Sequence, residues 1–140
     1  MWKDQQFQLA ILAAPVFWLG LWLAARPEIN LLWPLDKPWV FLSFALLYPV
    51  MEEVVFRGLI QDGIHRHVKK RLPGPISLAN LITSSLFMAL HFIYHPPLAA
   101  ASVIIPSLIF GYFKDRHHQL TSPIVLHIFY NTGYFWIFTG

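Results

Sequence analysis

Two carboxylates, Glu52 and Glu53, stand side by side in the middle of a long apolar run, and Arg57 follows one helical turn later. On a helix Glu53 and Arg57 are neighbours and can pair, which lowers the cost of placing both charges in an apolar medium. Glu52 points about 100° away and is freer to face a cavity. Arg57 holds one carboxylate as an anion, which leaves the other to take a proton from water as a general base. Against this stands a plainer reading in which Glu53 and Arg57 form only a structural ion pair.

His127 and Asn131 are also four apart. They present an imidazole and a carboxamide on one side of a helix, a donor pair suited to a developing oxyanion. The plainer reading is a polar clamp between membrane helices. His91 follows Phe87 by four residues. A single such His is more often a hydrogen-bonded bundle residue than a catalyst. His95 falls at a helix end, and His65, His67, His117 and His118 fall in basic loops, where solvation is expected. Asp4, Glu28, Asp36, Asp62 and Asp115 are placed in loops or tails, so Glu52 and Glu53 are the carboxylates expected at membrane depth. The chain has no His-Glu-x-x-His run for zinc, no Gly-x-Ser, no Asp pair at membrane depth and no Cys. A glutamate-based site is what this inventory leaves.

The elements that must carry these groups are apolar. Of 140 residues 56% are hydrophobic, 16% aromatic and 12% charged. That is about half the charged fraction of a soluble domain, and it excludes both an ordinary soluble enzyme and a disordered chain. The expectation is an all-α polytopic membrane bundle of about five transmembrane helices. Its blocks are 7–25, 38–59, 75–94, 98–113 and 120–138, each near the length needed to span. Residues 1–140 read as a single membrane domain. A signal peptide is the rival reading of the first block, set aside because the apolar run is too long for one.

Lys and Arg orient the bundle. Lys3, Arg66, Lys69, Lys70, Arg71, Lys114 and Arg116 fall on one side, and Arg26 and Lys37 on the other. The positive-inside rule puts the N-terminus in the cytoplasm and the C-terminus outside. The net charge of +3 is then topological, and no nucleic-acid partner is expected. The basic run 65–71 reads as an anchor to the lipid surface.

The motifs resemble a known family. Glu52-Glu53-x-x-x-Arg57, Phe87-x-x-x-His91 and His127-x-x-x-Asn131 occur once each, in this order and on separate helices. They resemble the three motifs of the CAAX protease and bacteriocin-processing family, also called the Abi family, over about residues 40–135. The helix 7–25 lies outside that stretch. The resemblance implies a glutamic-type intramembrane endopeptidase without a metal. Glu52 would activate water with His91, His127 and Asn131 would stabilise the oxyanion, and Glu53 and Arg57 would orient the site. It implies a bilayer and a protein substrate with a hydrophobic or lipidated C-terminal tail. The small size and layout suggest the short JDVT-CTERM sorting subgroup, a C-terminal sorting signal as substrate and a bacterial plasma membrane.

Straight helices ending at 62, 75 and 120 would put the three motifs at roughly 15, 24 and 10 Å from the cytoplasmic side. Tilt, or bending at Pro49 and Pro123, would be needed to bring them together. Two other classes stay open. One is a non-catalytic module such as a bacteriocin immunity protein. The other is a metal-dependent membrane hydrolase or ion carrier built on Glu52, His91 and His127.

Overall fold

The computed structural model describes residues 1–68 and 74–138. Of the basic run 65–71, Lys69, Lys70 and Arg71 lie outside the described residues. Helices are α1 (Gln5–Ala25), α2 (Trp33–Asp36), α3 (Pro38–Leu42), α4 (Tyr48–Glu53), α5 (Asp62–His67), α6 (Leu78–His91), α7 (Pro97–Ser102), α8 (Ile104–His117) and α9 (Thr121–Phe138). Two wider turns, Ser43–Leu47 and Val54–Gln61, join α3 to α4 and α4 to α5. Together they make one continuous helix, Pro38–His67. No strand occurs among the described residues, and the protein is an all-α membrane helix protein.

All five expected segments are helical, but their ends move. Among the described residues three helices are long and apolar enough to cross a bilayer: Gln5–Ala24, Pro38–His67 and Pro97–His117. α6 has 14 residues, roughly 21 Å of helix, which is shorter than the roughly 30 Å hydrocarbon core. α9 has 18 residues, and its His127, Asn131 and Thr132 dilute its apolar character. Val16, Trp39 and Leu98 stand outward. In water such exposure would be costly, and in a membrane it is the surface that meets lipid.

The chain gathers into two compact units, one of residues 1–51 with 125–140 and one of residues 52–124. In the first, α1 starts with Asp4, whose carboxylate caps the Gln6 N–H at 3.0 Å. α1 packs on α9 where Trp18 meets Phe129, their ring centroids 5.3 Å apart. A Cβ at Gly133 would fall 2.2 Å from the Trp18 ring, so only glycine allows this approach. The Tyr130 hydroxyl donates to the Ala10 carbonyl at 2.7 Å. At the far end of α9 the Trp33 indole donates to the Phe135 carbonyl at 3.1 Å. This satisfies one of the carbonyls that a helix end leaves without a backbone partner.

The second unit is built on α6, α8 and the Val54–His67 part of the long helix. Ser77 caps α6 by accepting from the Asn80 N–H at 3.0 Å. α6 and α8 meet closely because Gly111 has no side chain: a Cβ there would lie 2.0 Å from Asn80 Oδ1. Asn80 Nδ2 donates to the Leu108 carbonyl at 2.9 Å, and Ser84 Oγ donates to Asn80 Oδ1 at 3.0 Å. Such close, polar-stitched contacts suit helices in lipid, where burying apolar side chains gives no drive.

Candidate active site

In the second unit Glu53 and Arg57 are both fully buried, with Arg57 Nε 3.2 Å from Glu53 Oε2. The i,i+4 pairing expected from sequence is therefore formed. Arg57 Nη2 also donates to the Ser107 carbonyl at 2.8 Å and to Ser107 Oγ at 2.7 Å. Its guanidinium carbon lies 5.9 Å from the Phe87 ring centroid, within cation–π range. Glu52, the neighbouring residue, is half-buried. The two carboxylates thus differ: one is tied into an ion pair, and the other keeps partial access.

The helices bring Glu52 and His91 to one level. Two contacts fix the register between the long helix and α6. His65 Nε2 lies 3.4 Å from Ser77 Oγ, and the Phe56 and Phe87 rings meet edge to face at 4.9 Å. From 65 back to 56 on one helix matches 77 forward to 87 on the other, so the two run antiparallel. One further turn in each reaches Glu52 and His91. The expected depth mismatch between these two motifs disappears for a simple reason. The long helix continues to His67 instead of ending near 62, and α6 begins at Leu78 instead of 75. From those ends Glu52 and His91 lie roughly 22 and 20 Å deep. His91 Nδ1 is 2.9 Å from the Phe87 carbonyl. A carbonyl only accepts, so the neutral ring carries its proton on Nδ1 and presents Nε2 as an acceptor.

His127 and Asn131 belong to the first unit, one turn apart on α9. His127 is buried. Asn131 Nδ2 donates to the Phe44 carbonyl at 3.1 Å. That carbonyl is available because of Pro49. The Tyr48 N–H reaches back five residues to the Ser43 carbonyl, and Pro49 has no N–H to offer in its place. The wide turn therefore creates the acceptor that orients the Asn131 amide, and leaves its second N–H for another partner.

Three parts of the site were not foreseen. The first is Ser107, the partner of Arg57. The second is Gln61, fully buried, whose Nε2 donates to the Gly111 carbonyl at 3.0 Å and to Asp115 Oδ1 at 2.6 Å. The third is Asp115, which also accepts from Ser77 Oγ at 2.6 Å and lies 2.8 Å from His65 Nε2. The expectation of solvated loops at His65 and His117 fails here. His65 extends the long helix to meet Asp115, and His117 Nδ1 lies 2.7 Å from Ser122 Oγ. The sequence does carry a signal. Arg57, Gln61 and His65 recur every four residues, and their partners Ser107, Gly111 and Asp115 recur in step fifty residues later. Two parallel helices in register are the result. Among the described residues no three His, Asp or Glu side chains are grouped to hold a metal ion.

The family model described as type II CAAX prenyl endopeptidase Rce1-like matches residues 34–133. An Escherichia coli protein described as an uncharacterized 24.3 kDa protein is 32% identical over 127 residues. That alignment covers 86% of this chain and 56% of the relative, so the chain spans little more than half the length of this curated relative. No solved structure matches.

Proposed function

Since the chain belongs to the Rce1-like family of type II CAAX prenyl endopeptidases, we propose that it is a glutamic-type intramembrane endopeptidase acting as one membrane domain over residues 1–140. Its substrate is a protein with a hydrophobic or lipidated C-terminal tail, such as a C-terminal sorting signal. It resides in a bacterial plasma membrane with its N-terminus in the cytoplasm and its C-terminus outside. The observation that carries this reading is the level placement of half-buried Glu52 and the Nε2-accepting ring of His91, beside a second glutamate held by Arg57.

A water between Glu52 and His91 gives one proton to the Glu52 carboxylate while its oxygen bonds to the scissile carbonyl carbon. The charge that moves onto the carbonyl oxygen is met by N–H donors from His127 and Asn131. Collapse restores the carbonyl and breaks the C–N bond, and the leaving amine takes the proton from Glu52. Glu53, Arg57 and Ser107 hold the frame of the site and touch no reacting atom.

The test is cleavage of a membrane-tailed candidate from the same genome, in detergent or liposomes. Wild type, Glu52→Gln and His127→Ala are each run with and without chelator. Cleavage lost in both variants and unaffected by chelator is the expected result. Full activity of Glu52→Gln would reject the mechanism, and loss on chelation would favour a metal-dependent hydrolase.

A further inference from the structure

Apart from Glu53 Oε2 and Arg57 Nε, which face each other in the ion pair, three fully buried side chains in the second unit each leave one polar atom without a hydrogen-bond partner among the described residues. The atoms are Arg57 Nη1, Gln61 Oε1 and Thr83 Oγ1. None can be dismissed as a reversible rotamer. Gln61 is fixed because its nitrogen faces two acceptors, the Gly111 carbonyl and Asp115 Oδ1. Arg57 is fixed by Glu53 and Ser107. A helical Thr ordinarily returns its hydroxyl to the carbonyl one turn back, as Ser85 does here to Leu81 at 2.8 Å. Thr83 does not.

The register set by His65–Ser77 and Phe56–Phe87 places Thr83 level with residues 59–60, between Arg57 and Gln61. Thr83 also lies one turn before Phe87, whose ring packs on Phe56 and beneath Arg57. One layer therefore holds a donor, an acceptor and a hydroxyl that can be either. A cation is opposed by the guanidinium, and an anion by the Gln61 carbonyl oxygen. Water supplies two protons and two lone pairs and satisfies all three.

This layer has the loop-end cavity on one side and the Glu52–Glu53 turn on the other. Gln61 donates to Asp115, which lines a cavity of about 540 Å³ at the loop end with Asp62, His65, Ser77 and Lys114. Arg57 pairs with Glu53, the neighbour of Glu52. We propose that Arg57, Gln61 and Thr83 bind water inside the helix group, and that this site passes water from the loop-end cavity to Glu52. The second half rests on the hydrolytic reading above, and the first half does not.

X-ray radiolytic footprinting of the full chain in nanodiscs, after mixing into ¹⁸O-labelled water, tests the site directly. Radicals made on bound, exchangeable water label the rings beside it. Phe87, 4% exposed, is expected to take ¹⁸O well above Phe110, which is 2% exposed. Thr83→Val, which keeps the shape and loses the hydroxyl, is expected to bring Phe87 down to the Phe110 level. Thr83→Ser is expected to keep the label. An unlabelled Phe87 in wild type, or a label indifferent to Thr83→Val, overturns the water site whether or not any substrate is cleaved. For the supply role, Thr83→Val is expected to lower kcat and leave KM unchanged. A lost label with unchanged kcat would reject supply while keeping the site.

Discussion

Glu52 and Glu53 are the same amino acid one position apart, yet their burial and partners separate them. Glu53 neutralises a guanidinium that has no access to solvent. Glu53→Gln leaves Arg57 buried without its counter-charge, and should cost about 3–5 kcal/mol of stability, read as a lower melting temperature in detergent. Glu52→Gln should leave the melting temperature near wild type and abolish cleavage. If the two variants swap these effects, the roles are reversed. The Glu53–Arg57 pair was legible because four-residue spacing on a helix is a local rule. Ser107 was not legible. A serine fifty residues away in an apolar block carries no mark until the register between two helices is known.

At the scale of elements, helix ends and wide turns decide the geometry. The blocks themselves could be read from apolar runs, but their limits could not. Residues 62–67 are polar and resemble a loop, and they stay helical because Asp62, His65 and Gln61 find partners on α8. Those added turns are what bring Glu52 level with His91. The wide turn before α4 was likewise hidden, although Pro49 was visible. Pro49→Ala restores an N–H that can take the Phe44 carbonyl from Asn131. The helix should gain stability while kcat falls, because the Asn131 amide loses its fixed orientation. Unchanged kcat would separate Asn131 from this turn. Gly111→Ala should destabilise by about 1–3 kcal/mol, since its Cβ would enter the Asn80 carboxamide. A paired Asn80→Ala change should recover part of that loss in a thermal melt.

At the scale of the whole molecule, the composition identified the medium correctly: large apolar side chains stand outward, and polar side chains are buried beside apolar ones. The N-terminal helix, outside the matched family region 34–133, is tied to α9 through Trp18, Gly133 and Tyr130. Gly133→Leu should loosen that contact and lower the melting temperature. Its effect on cleavage should be felt through His127 and Asn131 on the same helix, as slower turnover with an unaltered KM.

The rungs between the long helix and α8 are fifty residues apart in the chain. A ribosome adding about 5–20 residues per second therefore delivers Arg57 roughly 3–10 s before Ser107 exists to receive it. A helix carrying Glu53, Arg57 and Gln61 is a poor solute for lipid during that wait. α6, short and marked by Asn80, Thr83 and Ser84, is no better alone. Holding the early helices at the insertion site until α8 emerges would spare them that cost. Release into the bilayer would be a joint event, with the segment that carries Ser107 as its trigger.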